Sequence, residues 1–92
     1  MEKIVINEKE YEMIENVNEA FDLEVVKEKL TDYFDEFDII VGDWAYGKVR
    51  LKGFNEKGNK NFKPINDATK IKDYILNNCA YGCKWFEIKK IK

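Results

Sequence analysis

Trp44, Tyr46, Lys48, Arg50 and Lys52 lie close together in the sequence. Flat rings beside cations suit one kind of chemistry: an aromatic face stacks an unpaired base while lysine or arginine holds the phosphate next to it. Lys48, Arg50 and Lys52 alternate with Val49 and Leu51. If the apolar pair faces the helices, the three cations line the open side of a sheet. A structural alternative stands beside this reading, in which Trp44 is a core lid, Tyr46 packs with a wet hydroxyl, and the lysines protect an edge strand. Asp43 and Gly47 are read as the residues that structure the turn, Asp43 by accepting hydrogen bonds from its own loop and Gly47 by taking a positive φ.

Cys79 and Cys83 form the second distinctive group. With no histidine and no further cysteine, one chain cannot assemble the usual four-ligand zinc site. The spacing also departs from the Cys-x-x-Cys of redox pairs, so both are read as structural, with Cys79 a small core residue on a helix. The absence of histidine removes the usual general base near neutral pH, and the absence of serine excludes a Ser-His-Asp arrangement. No catalytic residue, metal site or cofactor is therefore expected, and the chain is read as a non-enzyme.

The elements that must position these residues follow from patterning. The 92 residues are expected to form one domain spanning 1–92, with a modest core and no room for a deep active site. Lys3 to Ile6 and Tyr11 to Glu15 read as two strands joined by a polar turn. Asp22 is placed to cap a helix in which Leu23, Val26, Leu30, Tyr33, Phe34 and Phe37 recur at helical spacing. Ile39-Ile40-Val41 reads as a buried strand with Lys48 to Phe54 as its hairpin partner. Asn55 to Lys63, rich in asparagine, reads as a mobile or ragged surface loop. Asn66 or Asp67 caps a second helix with Ala68, Ile71, Tyr74, Ile75 and Cys79 on one stripe, Gly82 ends it, and Trp85 to Ile91 returns as the last strand.

The order is β-β-α-β-β-α-β. The expected fold class is α+β: a two-layer sandwich, a mostly antiparallel sheet with two helices on one face, and a ferredoxin-like topology. The net charge of -2 hides an acidic first half, -10 over residues 1–44, and a basic second half, +8 over residues 45–92. Either the halves form separate faces or they interleave in the sheet and neutralise each other. No apolar run approaches the roughly 20 residues of a membrane helix, and the start of the chain is too short and acidic for a signal peptide, so a cytoplasmic location is expected.

Phe21-Asp22 at the helix start, the run Val41-Gly42-Asp43-Trp44-Ala45-Tyr46-Gly47-Lys48-Val49-Arg50-Leu51-Lys52-Gly53-Phe54, and Cys79-Ala80-Tyr81-Gly82-Cys83-Lys84-Trp85-Phe86 together resemble the YutD-like family. This is a family of small domains of Bacillus-type bacteria with no known activity. The resemblance implies a family and no chemistry. The residues themselves favour a small cytoplasmic binding module that touches RNA or a ribonucleoprotein through its basic and aromatic surface. A protein-interaction adaptor is the alternative, and a thiol-dependent or metal-linked activity comes third.

Overall fold

The computed structural model describes residues 2–78 and 84–91, so Cys79, Gly82 and Cys83 lie outside the described residues. The strands are β1 (Glu2–Ile6), β2 (Lys9–Val17), β3 (Ile39–Ala45), β4 (Lys48–Phe54) and β5 (Trp85–Lys90). The helices are α1 (Leu23–Lys29) and α2 (Ile71–Asn78), with short 3-10 segments at Asp32–Glu36, Pro64–Asn66 and Ala68–Lys70. The predicted order of elements is present, and the α+β class holds.

Local chemistry accounts for most boundaries. The Asp22 carboxylate accepts from the amides of Glu24 and Val25 at 3.1 and 3.4 Å, and Lys27 and Lys29 stand in the last turn of α1, where the helix dipole favours cations. The chain then turns extended at Leu30 and resumes as the 3-10 segment. The single helix expected to reach Phe37 is thus two pieces, because Thr31 and Asp32 are residues that leave helix interiors readily. Tyr46 and Gly47 both have positive φ, 55° and 75°, the mark of a two-residue primed hairpin turn. That turn sets the register: Ala45 opposite Lys48, Trp44 opposite Val49, Asp43 opposite Arg50.

All strand pairs are antiparallel, in the order β1-β2-β5-β3-β4. A ferredoxin-like order would put β2 and β4 at the centre; here β5 and β3 are the central pair. The last strand alone joins the hairpin β1-β2 to the hairpin β3-β4 within the sheet. Both helical connections are split crossovers, β2 to β3 with β5 between them and β4 to β5 with β3 between them.

The helices lie on opposite faces, which corrects the two-layer expectation. Val26 and Leu30 pack with Ile40, Val49, Phe86 and Ile88 on one face. Ile71, with Tyr74 and Ile75, packs on Ile39, Val41 and Phe54 on the other. Consecutive residues of a strand point to opposite faces, so Ile39-Ile40-Val41 is buried from both sides. The crossovers run in opposite directions across the sheet, and two of the same hand would share a face. Passing on different faces gives one of them the uncommon left hand.

Two glycines permit the packing of large rings. A Cβ on Gly42 would lie 2.2 Å from Cζ of Phe86, which sits directly opposite it across β3 and β5. A Cβ on Gly53 would lie 2.2 Å from Cγ of Phe37. Phe86 also meets the edge of Phe21, with ring centroids 5.2 Å apart.

The expected loose loop after Phe54 is instead tied down by its asparagines. Asn55 is fully buried; its side-chain oxygen accepts from the Asp38 amide at 2.9 Å and from Asn59 at 3.1 Å, and its side-chain nitrogen donates to the Asn61 carbonyl at 3.3 Å. Asn66 Oδ1 accepts from the Lys63 amide at 2.8 Å, and Asn59 Oδ1 accepts from the Asn61 amide at 2.7 Å. The two halves of the charge pattern also interleave, since basic β5 lies between β2 and β3. Across the two halves Lys90 donates to the Asp35 carbonyl, while Lys9 bonds Asp35 within the first half and Lys89 pairs with Glu56 at 3.2 Å within the second.

Gly42→Ala is expected to destabilise the fold by roughly 1–3 kcal/mol, because Phe86 must leave its rotamer or the central strands must part. Chemical denaturation checks this. An alanine variant as stable as the parent would show that the ring is free to move.

Candidate interaction surface

Trp44 and Arg50 do not share a face. The hairpin register puts Trp44 beside Val49, on the α1 face, where it packs against the core and its Nε1 donates to the Ala20 carbonyl at 2.7 Å. The Lys84 ammonium lies 5.9 Å from its ring centroid. Tyr46 stands fully exposed at the hairpin tip, and Lys48 is exposed beside it. The proposed grouping of Trp44 with Arg50 and Lys52 is therefore divided by the sheet itself.

Asp43 lies within β3 and does not structure the turn. Its side chain is buried on the α2 face, where Oδ1 accepts from Arg50 Nε at 3.2 Å and Oδ2 from Arg50 Nη2 at 2.5 Å. This forked bond, together with the Asp43 charge, raises the Arg50 pKa above its ordinary value. The Lys52 ammonium lies 5.3 Å from the Phe54 centroid and 5.9 Å from that of Tyr74, and the two rings meet edge-on at 5.6 Å. Burial pushes the Tyr74 hydroxyl up, and the Asp43 charge adds to the shift. Arg50 and Lys52 thus flank a helix, and the open basic stripe expected from the alternation is partly engaged within the fold. A cavity of about 510 Å³ alongside β4 regroups cations and rings, with Arg50, Lys52 and Lys63 beside Tyr33 and Tyr74.

A second feature was not among the sequence candidates. Among the described residues, α2 covers β3 and β4 on its face but leaves β1, β2 and much of β5 open. Between α2 and this uncovered half runs a groove of about 520 Å³. Ile14 and Glu15 of β2 form one wall, Ile71, Lys72, Ile75 and Leu76 of α2 the other, and Trp85 and Glu87 of β5 the floor. Leu76 is 78% exposed and Ile14 40%. Ile14 reaches the groove because β2 bulges between Met13 and Glu15. One signal in the sequence marked the site: Leu76 is a large apolar residue off the buried stripe of its helix.

Glu15 and Glu87 are directly opposite each other across β2 and β5. Burial, and then the facing Glu15, push the Glu87 carboxyl above the usual glutamate range, with Lys89 opposing the shift. Among the described residues, no group of three or more Cys, Asp or Glu is arranged to hold a metal ion.

Two outcomes are expected from these charges. Arg50→Ala leaves a buried carboxylate without its fork and should destabilise more than Asp43→Ala, which removes the buried charge and leaves an arginine already half in water; the latter should cost on the order of 1–3 kcal/mol. Urea titrations of both variants give the order. The folded chain holds the Glu87 proton more tightly than the unfolded chain does, so the penalty is absent below the ordinary glutamate range and sets in as pH rises through the raised value. Glu15, Lys72 and Lys89 are the charged groups around it. Glu87→Gln should then raise the melting temperature at pH 7 and leave it unchanged near about pH 3.

The sequence matches, over residues 5–89, the family described as "Putative antitoxin YutD-like". It is 35% identical over 89 residues to a protein of Bacillus subtilis (strain 168) named "Putative antitoxin YutD", an alignment that covers 97% of this chain and 98% of that protein. The solution NMR structure of protein yutD from B. subtilis is similar with a TM-score of 0.81 at 34% identity, covering 100% of this chain and 84% of that one. The match extends across both tracts that carried the resemblance, and the chain belongs to the YutD-like family.

Proposed function

We propose that the chain is a small non-enzymatic binding module of the cytoplasm whose groove beside α2 receives a partner protein. The observation that carries this reading is the apolar groove with exposed Leu76 and Ile14 at its rim. An apolar surface held open between a helix and a half-covered sheet face exposes area that water penalises, and such surfaces are characteristic of protein contacts. The printed descriptions "Putative antitoxin YutD-like" for the family and "Putative antitoxin YutD" for the relative are in keeping with a macromolecular partner, since an antitoxin acts by countering a toxin. Among the described residues no helix is long and apolar enough to cross a membrane.

A second reading keeps RNA as the partner, favoured by the cations and rings along β4, where Lys52, Lys63, Tyr33 and Tyr74 line one cavity. Reversing Arg50 would confound its test by stranding Asp43, so Lys52→Glu with Lys63→Glu is the cleaner probe.

The two readings separate in a pull-down from bacterial lysate with and without ribonuclease. The expected result is one protein captured in fixed stoichiometry, insensitive to nuclease and to Lys52→Glu with Lys63→Glu. Leu76→Asp should weaken capture at least about tenfold, since burying a leucine is worth roughly 1.5–3 kcal/mol and 1.4 kcal/mol is a factor of ten. Capture lost with nuclease and with the charge reversals, but kept in Leu76→Asp, would replace this reading by the RNA one.

A further inference from the structure

Resting on the protein-binding reading, we infer that the occupant of the groove is an amphipathic helix of the partner, laid beside α2 over β2 and β5, with apolar residues on Ile14, Leu76 and Trp85 and an arginine or lysine between Glu15 and Glu87.

The secondary structure of the occupant follows from where the groove lies. It is on the face of the sheet, between the body of β2 and the side of α2, and not along either edge strand. A segment docked on a sheet face finds no free row of backbone partners there, so it must satisfy its own amides and carbonyls, and a helix does this.

The dimensions agree. Strands stand about 4.8 Å apart, so the half-face from β1 to β5 is about 10 Å wide. One helix with its side chains is about 10–12 Å across, and packed helices lie about 8–10 Å apart. Among the described residues, the uncovered half has room for one helix next to α2. Val5, 58% exposed on β1, would extend the apolar footprint toward the far edge.

Charge selects the sequence of that helix. Glu15 of the β2 wall faces Glu87 of the groove floor, with Glu12 farther along the same face of β2. Of the nearby cations, Lys89 pairs with Glu56 at 3.2 Å and Lys3 with Glu10 at 3.1 Å, and Lys72 stands on the α2 wall of the groove. Two opposed carboxylates in an apolar trough repel each other and resist dehydration. A cation carried in by the partner removes the repulsion and is held by two acceptors, whereas an acidic helix would add a third like charge. The raised proton affinity of Glu87 is in keeping with an acidic pair that lacks this cation.

The test uses the full chain and three synthetic peptides of equal length, labelled for fluorescence anisotropy. The first is an amphipathic helix with a leucine stripe and an arginine beside it, the second replaces that arginine by glutamate, and the third scrambles the stripe. The arginine peptide is expected to bind at least about tenfold more tightly than either of the others. Glu15→Gln with Glu87→Gln should erase the preference for arginine over glutamate while leaving the preference for the intact stripe. Leu76→Asp should lose binding of all three, with circular dichroism confirming that it folds.

Equal binding of the arginine and glutamate peptides would overturn the cation, and equal binding of the intact and scrambled stripes would overturn the helix. Either result leaves the protein-binding reading standing, provided Leu76→Asp still loses partner capture. No peptide binding with capture unchanged in Leu76→Asp would remove both. Light scattering on the chain alone covers the remaining occupant: a dimer that dissolves in Leu76→Asp would assign the groove to a second copy and overturn the inference.

Discussion

The ring of Phe86 packed against the bare backbone of Gly42 is the contact on which the rest of the molecule depends. It holds β5 to β3, and β5 is the strand that unites two otherwise separate hairpins. Each hairpin alone would be marginal, as two-stranded units are in water. Joined through β5 they make a five-stranded sheet with a helix on each face. A larger residue at Gly42 would push the ring out and reopen the boundary between the halves.

This contact also explains why the two distinctive tracts of the sequence are distinctive. Gly42-Asp43-Trp44 and Lys84-Trp85-Phe86 meet at the centre of the sheet, where Gly42 opposes Phe86, Asp43 opposes Trp85, and the Trp44 amide donates to the Lys84 carbonyl at 3.1 Å. Much of their unusual composition is therefore accounted for by packing. Trp44 anchors the segment before α1 through Ala20, and Asp43 holds Arg50 in a fork on the opposite face. Residues that read as a binding surface because they were neighbours in sequence serve two different layers.

The same arrangement leaves one surface uncovered. Each helix is short, and α2 is too narrow to shield all five strands, so among the described residues the half-face over β1, β2 and β5 keeps apolar side chains such as Val5 and Ile14 in contact with solvent. Burial on one half and exposure on the other produce the groove. Its acidic pair is a consequence of inserting β5 beside β2, which brings Glu87 against Glu15 although they are far apart in the chain.

The sequence by itself determined the elements and their order. Hydrophobic spacing, Asp22 as a cap and the Tyr46-Gly47 turn act over a few residues, so their consequences are local and legible. The family was legible for the same reason, since its signature residues are contiguous. Part of the tertiary answer is local as well: a two-residue turn pairs Trp44 with Val49, which separates it from Arg50, and the unbroken Ile39-Ile40-Val41 run calls for cover on both faces. The asparagines of the loop after Phe54 read as loose polar residues because their partners, Asp38 and the carbonyl of Asn61, are chosen only when the chain closes around them. The strand order, the side taken by each helix and the groove were decided by tertiary structure alone. They depend on where the last strand inserts, a choice made by the fit of Phe86 to Gly42, 44 residues apart in the chain (86 − 42), and no local pattern encodes such a fit.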